Sequence, residues 1–271
     1  MGEIVACANQ KGGVGKTTTV VSLASYLALN GLRILLVDLD PQGNATSGAG
    51  LDKAEDGGSI YAALVDDVPV AGLIKPTVIP GLSLVPSSRE LSGAEVELVP
   101  MAARERRLKG ALGPITDDYD YILMDCPPSL GLITVNALTA ADSVLIPIQC
   151  EYYALEGLSQ LMATVDLVRS HLNPALKLKG VVLTMFDART TLSADVSTEV
   201  RRHLGDAVFQ AVVPRSVRLA EAPSYGRPIA LYSPTSRGAQ AYSDLAKEML
   251  ARDGKEGTLV VGTDAPAWVT R

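Results

Sequence analysis

The sequence predicts an α/β fold: one domain built on a mostly parallel, twisted sheet covered by helices on both faces. Three observations carry this. Short β-rich apolar runs alternate with segments of helical periodicity, the pattern of βαβ units. Several runs are apolar on consecutive residues, as strands buried on both faces must be. The first run passes through a glycine-rich turn directly into an amphipathic helix. The strands are placed at Glu3–Ala8, Arg33–Asp38, Leu82–Val85, Tyr121–Asp125, Ser143–Ile148, Leu178–Thr184 and Val208–Val213. The first helix gathers Val20, Leu23, Ala24, Leu27 and Ala28 on one face and ends at Gly31 as C-cap. Leu155, Leu158, Met162, Val165 and Val168 mark a second helix, and Tyr242, Leu245, Ala246, Met249 and Leu250 mark the last. These stripes read as core. Beyond Arg252 the periodicity stops, so the domain is placed at 1–252 and residues 253–271 are predicted to be a disordered tail, where Trp268 receives no assignment.

With 271 residues and 47% hydrophobic content, the chain can bury one large core or two small ones. A net charge of −6 and few aromatics give no global nucleic-acid signature, so any DNA contact must come from a local basic patch. Cys7, Cys126 and Cys150 stand in apolar runs without C-x-x-C spacing and read as reduced, buried thiols. No basic segment with a cleavage site opens the chain, and apolar runs are interrupted before eighteen residues. A soluble, cytoplasmic protein that makes no membrane contact is expected.

The densest chemistry lies in Asn9-Gln10-Lys11-Gly12-Gly13-Val14-Gly15-Lys16-Thr17-Thr18. Glycines let successive backbone N–H groups turn toward one anion, and the helix starting near Lys16 adds its positive end. Lys16 supplies a full charge for β- and γ-phosphates, and the Thr17 hydroxyl can ligate Mg²⁺. Gln10 replaces the first glycine of the general loop pattern, and a second lysine, Lys11, opens the loop. A tight turn with chance basic residues is the bland alternative. Two further strands end in acids, delivering Asp38-Leu39-Asp40-Pro41-Gln42-Gly43 and Asp125-Cys126-Pro127-Pro128-Ser129-Leu130-Gly131. Acids at such strand ends either serve the nucleotide site or cap neighbouring loops. Proline and glycine after Asp40 and Asp125 suit loops that rearrange with the γ-phosphate.

Together these segments resemble the deviant Walker P-loop ATPases of the ParA/Soj/MinD group. Leu183-Thr184-Met185-Phe186-Asp187-Ala188-Arg189 and Val213-Pro214-Arg215-Ser216-Val217-Arg218-Leu219-Ala220-Glu221-Ala222-Pro223 resemble the chromosome-partitioning ParA (Soj) branch, with the likeness running from residue 1 to about 252. The resemblance implies a Mg·ATP-driven switch: ATP joins two subunits face to face, the homodimer binds double-stranded DNA without sequence preference, and a ParB-type centromere-binding partner stimulates hydrolysis. The protein would then be nucleoid-associated. By motif match, Lys11 reaches the partner subunit's phosphates, Asp40 positions the attacking water, Thr17 ligates Mg²⁺, and Asp38 and Asp125 hold metal-bound waters. Gly12, Gly13, Val14, Gly15, Lys16, Thr17 and Thr18 form the cradle. Pro214 and Ser216, where the family often has Asn, fall at the adenine, and Arg189 and Arg218 fall at DNA.

The 187–237 segment holds seven arginines against five acids, a local excess in an acidic chain that reads either as a DNA face or as a solvated one. Sequence-independent binding needs phosphate contacts, and pairing two subunits doubles them on one surface. Competing readings are a MinD-like membrane ATPase, which needs a basic amphipathic C-terminal helix that residues 255–271 lack; an iron–sulfur carrier, which needs exposed cysteines; a ligase with the same loop; and an orphan relative that positions other cargo.

Overall fold

The computed structural model describes residues 2–53, 58–152 and 154–255. Its strands are β1 (Glu3–Cys7), β2 (Ile34–Asp38), β3 (Lys75–Pro76), β4 (Leu82–Val85), β5 (Tyr121–Asp125), β6 (Ser143–Gln149), β7 (Lys177–Phe186) and β8 (Val208–Pro214). They form one sheet in the order β3-β4-β2-β5-β1-β6-β7-β8. Among the described residues, β3 runs antiparallel to β4 and every other pairing is parallel. The seven strands expected from sequence are present, with ends within two residues of the expectation. β3 escaped because two residues carry no period and Pro76 is tolerated only at a sheet edge.

The unbroken apolar runs have a simple cause. Ile4 and Ala6 of β1, with Leu35 and Val37 of β2, face one core, whereas Val5, Cys7, Ile34 and Leu36 face the other. The first core is closed by helices that include Leu91–Leu98, Leu132–Ala140 and Ala154–His171. The second is closed by Lys16–Leu29 and Arg237–Arg252, where Leu23 and Leu27 meet the Tyr242, Leu245 and Met249 side. Asn30 caps the Lys16–Leu29 helix, and Gly31 follows at φ 85°, a left-handed turn that favours glycine. The three cysteines are buried free thiols.

At the amino ends of the strands, the buried Lys179 ammonium lies 2.7 Å from Glu3 Oε2 and 2.6 Å from Asp253 Oδ1. Lys255 stands 3.7 Å over the Tyr121 ring. Asp253 and Lys255, which fall in the segment expected to be tail, therefore pack on the sheet. Residues 256–271, including Trp268, lie outside the described residues. No described helix is long and apolar enough to cross a membrane.

The functional edge is the opposite one. The chain leaves β1 toward β2 on one side, and from β5 crosses to β6 on the other, so a crevice opens at the carboxyl end of β1. Parallel register lines up Cys7, Asp125 and Asp38 there.

Candidate functional site

The loop leaving β1 is an anion cradle. Gly13 and Gly15 sit at φ 74° and 86°, where a Cβ would be strained. Gly15 opens the Lys16–Leu29 helix without a side-chain cap, and the first helical bond runs from Thr19 N–H to Gly15 O at 2.8 Å. The N–H groups of Lys16, Thr17 and Thr18 thus have no intrahelical acceptor and crown the positive end of the helix. Lys16 is buried and donates to Lys11 O at 3.2 Å, a carbonyl an incoming phosphate can replace. Two further bonds brace the loop: Thr184 Oγ1 donates to Val14 O at 2.8 Å, and buried Asn9 donates to Pro147 O while accepting from Lys11 N–H.

The expected acids converge beside it. Asp38 is buried and bonded on both oxygens: Oδ2 accepts from Thr46 N–H at 2.8 Å and Thr46 Oγ1 at 2.7 Å, and Oδ1 accepts from Asp40 N–H at 3.2 Å. Burial pushes its carboxyl up, against the pull of those donors. Asp40, also buried, accepts Gln42 N–H at 2.9 Å in an Asx-type turn. Asp125 is different. It has no exposure, and among the described residues neither oxygen has a hydrogen-bond partner; Thr17 lies close without making a bond of normal geometry. Burial drives its carboxyl well up, Asp38 adds to this, and the Thr17 hydroxyl and Lys16 pull the other way. A buried, unpartnered carboxylate beside a second acid and a threonine hydroxyl is a hard-oxygen arrangement suited to Mg²⁺, which keeps several of its waters and uses few protein ligands. The residues fit the ion.

Pro214 and Ser216 line a cavity of about 180 Å³ together with Gly15, Thr18 and Met185, so the cradle and the expected base pocket are contiguous. Met185 there is held at φ 51°, the kind of strained backbone that clusters at binding sites. Lys11 stays at the lip, nearly half exposed, paired with Glu151 of its own chain at 3.1 Å. Arg215, also on the cavity wall, lies 3.7 Å from the same glutamate. Arg189 and Arg218 are exposed, follow β7 and β8 on this functional edge, and carry their own counter-ions: Asp187 at 2.7 Å and Glu221 at 3.0 Å. Arg189 holds the Asp187 carboxyl well below the usual carboxylate range.

Four residues to which the motifs assign no role belong to this site: Asn9, Thr46, Glu151 and Thr184. Each acts through a contact 35 or more positions away or within an unpredicted short helix, Asn44–Gly48, for which no periodic signal exists.

A phosphate cradle at a strand-to-helix junction, flanked by strand-end acids on a parallel sheet, defines a P-loop nucleotide-binding protein. Comparison with known proteins narrows the class. Residues 2–178 match the family described as AAA domain. The chain is 59% identical to the sporulation initiation inhibitor protein Soj of Bacillus subtilis over 93% of its length and 99% of that protein. It is 55% identical to the chromosome partitioning protein ParA of Myxococcus xanthus, covering 93% of this chain and 89% of that one. Among solved structures, cobyrinic acid a,c-diamide synthase from Mycobacterium smegmatis with bound ADP and magnesium superposes with a TM-score of 0.81 at 38% identity, over 97% of this chain and all of that one. The chain belongs to the ParA/Soj family of P-loop ATPases.

Proposed function

We propose that this chain is a DNA-partitioning switch: it binds Mg·ATP, pairs with a second copy across the nucleotide, holds double-stranded DNA without sequence preference, and lets go when a ParB-type partner stimulates hydrolysis. The observation that carries this reading is the pairing of a complete cradle with a lysine left outside it. Lys16 and the amides of Gly12–Thr18 suffice for one triphosphate. Lys11 stands apart at the lip on an exposed ion pair, which is worth little and is easily exchanged for a better anion. A second copy's γ-phosphate is such an anion. There Lys11 compensates transition-state charge as a trans arginine finger does, an effect of about 10³-fold or more in rate.

The roles follow. Thr17, Asp38 and Asp125 hold Mg²⁺ directly or through its waters, and when bound the ion offsets the charge of the β- and γ-oxygens. Asp40, tethered by its own turn, orients the attacking water. Pro214 and Ser216 border the adenine. Arg189 and Arg218 give up their local acids for DNA phosphates, each phosphate contributing about −0.9 to the salt slope. The relatives named for chromosome partitioning support the switch, and the ADP and magnesium in the Mycobacterium smegmatis structure support the ligands.

The test is a DNA-retention assay with ADP, ATP and a non-hydrolysable ATP analogue across salt concentrations. Retention should require a triphosphate, persist longest with the analogue and fall steeply with salt. A synthase, the second reading suggested by the Mycobacterium smegmatis structure, would retain no DNA under any nucleotide; a MinD-like relative would prefer liposomes.

A further inference from the structure

We infer that Thr46 is a positioning residue for the cation site, one that fixes the Asp38 carboxylate through a one-way chain of donors. The inference rests on the metal reading above and adds a residue to which no role was assigned. Thr46 has no exposed surface and lies in the short Asn44–Gly48 helix that follows the Asp40 loop. Both of its donors go to a single atom: its N–H and its hydroxyl reach Asp38 Oδ2 at 2.8 and 2.7 Å. Its hydroxyl oxygen in turn accepts the N–H of buried Ser87 at 3.2 Å, just past the end of β4.

The direction of this chain matters. A hydroxyl has one proton to donate. Because Ser87 N–H can only donate, that proton is left for Asp38, and an ionised carboxylate accepts on both oxygens. Oδ2 is therefore saturated from inside the protein, and Asp40 N–H, at 3.2 Å, takes one position on Oδ1. The acceptor capacity left on Asp38 lies on one oxygen in one orientation. Its neighbour in register, Asp125, has no hydrogen-bond partner among the described residues. The two acids divide the work: Asp125 supplies unmet demand for a cation, and Asp38 supplies a fixed acceptor for a metal-bound water. Partners that orient a metal site in this way are worth about 10–100-fold in metal affinity. The helix carrying Thr46 starts where the Asp40 loop ends, so the same anchor ties the loop to the strand that bears Asp38.

The experiment titrates Mn²⁺, read by its electron paramagnetic resonance signal, into the full chain with ADP. It compares the parent with Thr46→Val, which keeps the shape and loses the hydroxyl, and Thr46→Ser, which keeps the hydroxyl and loses a methyl. ADP affinity in EDTA is measured alongside. The expected result is Mn²⁺ binding weakened about 10–100-fold in Thr46→Val, restored to within a few-fold in Thr46→Ser, with metal-free ADP affinity unchanged in both. Parent-like Mn²⁺ binding in Thr46→Val overturns the inference. So does an equal loss of metal-free ADP binding, which would make Thr46 a general packing residue. Should Thr46→Val not fold, Thr46→Ser and Thr46→Cys decide: the weaker S–H donor must bind Mn²⁺ less well than the serine, and parity between them refutes the anchor. Asp38→Asn separates the two layers, for unchanged Mn²⁺ binding in that variant removes the metal reading itself.

Discussion

Asp125 is the residue at which stability and function pull hardest against each other. It is wholly buried, both oxygens lack hydrogen-bond partners among the described residues, and Asp38 sits beside it in register. An unsatisfied buried polar group costs about 1–3 kcal/mol, and more when charged. Asp125→Asn removes the charge and offers N–H donors toward the Asp38 carboxylate. Free of ligands, the variant should be more stable than the parent by about 1–3 kcal/mol, a rise in Tm of roughly 2–12 °C for a chain of this size. The sign with pH follows from the raised carboxyl. The burial penalty exists only where the group must ionise, so the advantage of Asn is largest above the raised value and shrinks as pH falls toward the ordinary carboxylate range. Adding Mg²⁺ to the ADP-loaded parent should raise its Tm further, since a ligand at a hundred times its Kd adds about 2.7 kcal/mol; the variant should lose that increment. Differential scanning fluorimetry with ADP, with and without Mg²⁺, measures both. A less stable apo variant that keeps its Mg²⁺ increment would refute the reasoning.

Three further expectations can be checked alongside. Thr184→Val strips the donor from buried Val14 O and should cost about 1–3 kcal/mol in denaturant unfolding, with ATP affinity falling as the cradle loosens. Lys179→Met leaves Glu3 and Asp253 without their shared buried cation; a loss of about 3 kcal/mol is expected, the low end for a broken buried pair because Glu3 keeps contact with water. ATP affinity of folded Lys179→Met, measured by calorimetry, should match the parent, because the cluster lies at the opposite edge of the sheet. Arg189→Glu places an acid beside Asp187 and should weaken ATP-dependent DNA retention while ATP-driven pairing, followed by light scattering, persists; joint failure of both would make the arginine structural.

The sheet was legible because its physics is local. A strand buried on both faces has to be apolar at every position, and Ile34-Leu35-Leu36-Val37 or Tyr121-Ile122-Leu123-Met124 can be read as such without knowing any neighbour. The cradle was legible for the same reason, since its glycines, lysine and threonine act within ten residues. The acids at Asp38 and Asp125 were readable as strand ends, but their difference was not. Only the fold shows that one has an oxygen filled by Thr46, and that the other has no donor among the described residues. Likewise the arginines of the 187–237 segment looked like free positive charge, whereas Arg189, Arg202 and Arg218 each lie against an acid two or three positions away. The short helices between β2 and β5 gave no signal because three to eight residues hold too few turns for a period to show; tertiary packing makes them.

Mixing two inactive variants tests the central proposal most directly. Lys11→Ala keeps its own Asp40, and Asp40→Ala keeps its own Lys11. If each pocket borrows its outer lysine from the facing chain, a mixed pair contains one intact pocket, and ATP hydrolysis should reappear on mixing two preparations that are silent alone. If Lys11 serves the pocket of its own chain, each pocket of the mixed pair lacks one group, and the mixture stays as silent as its components.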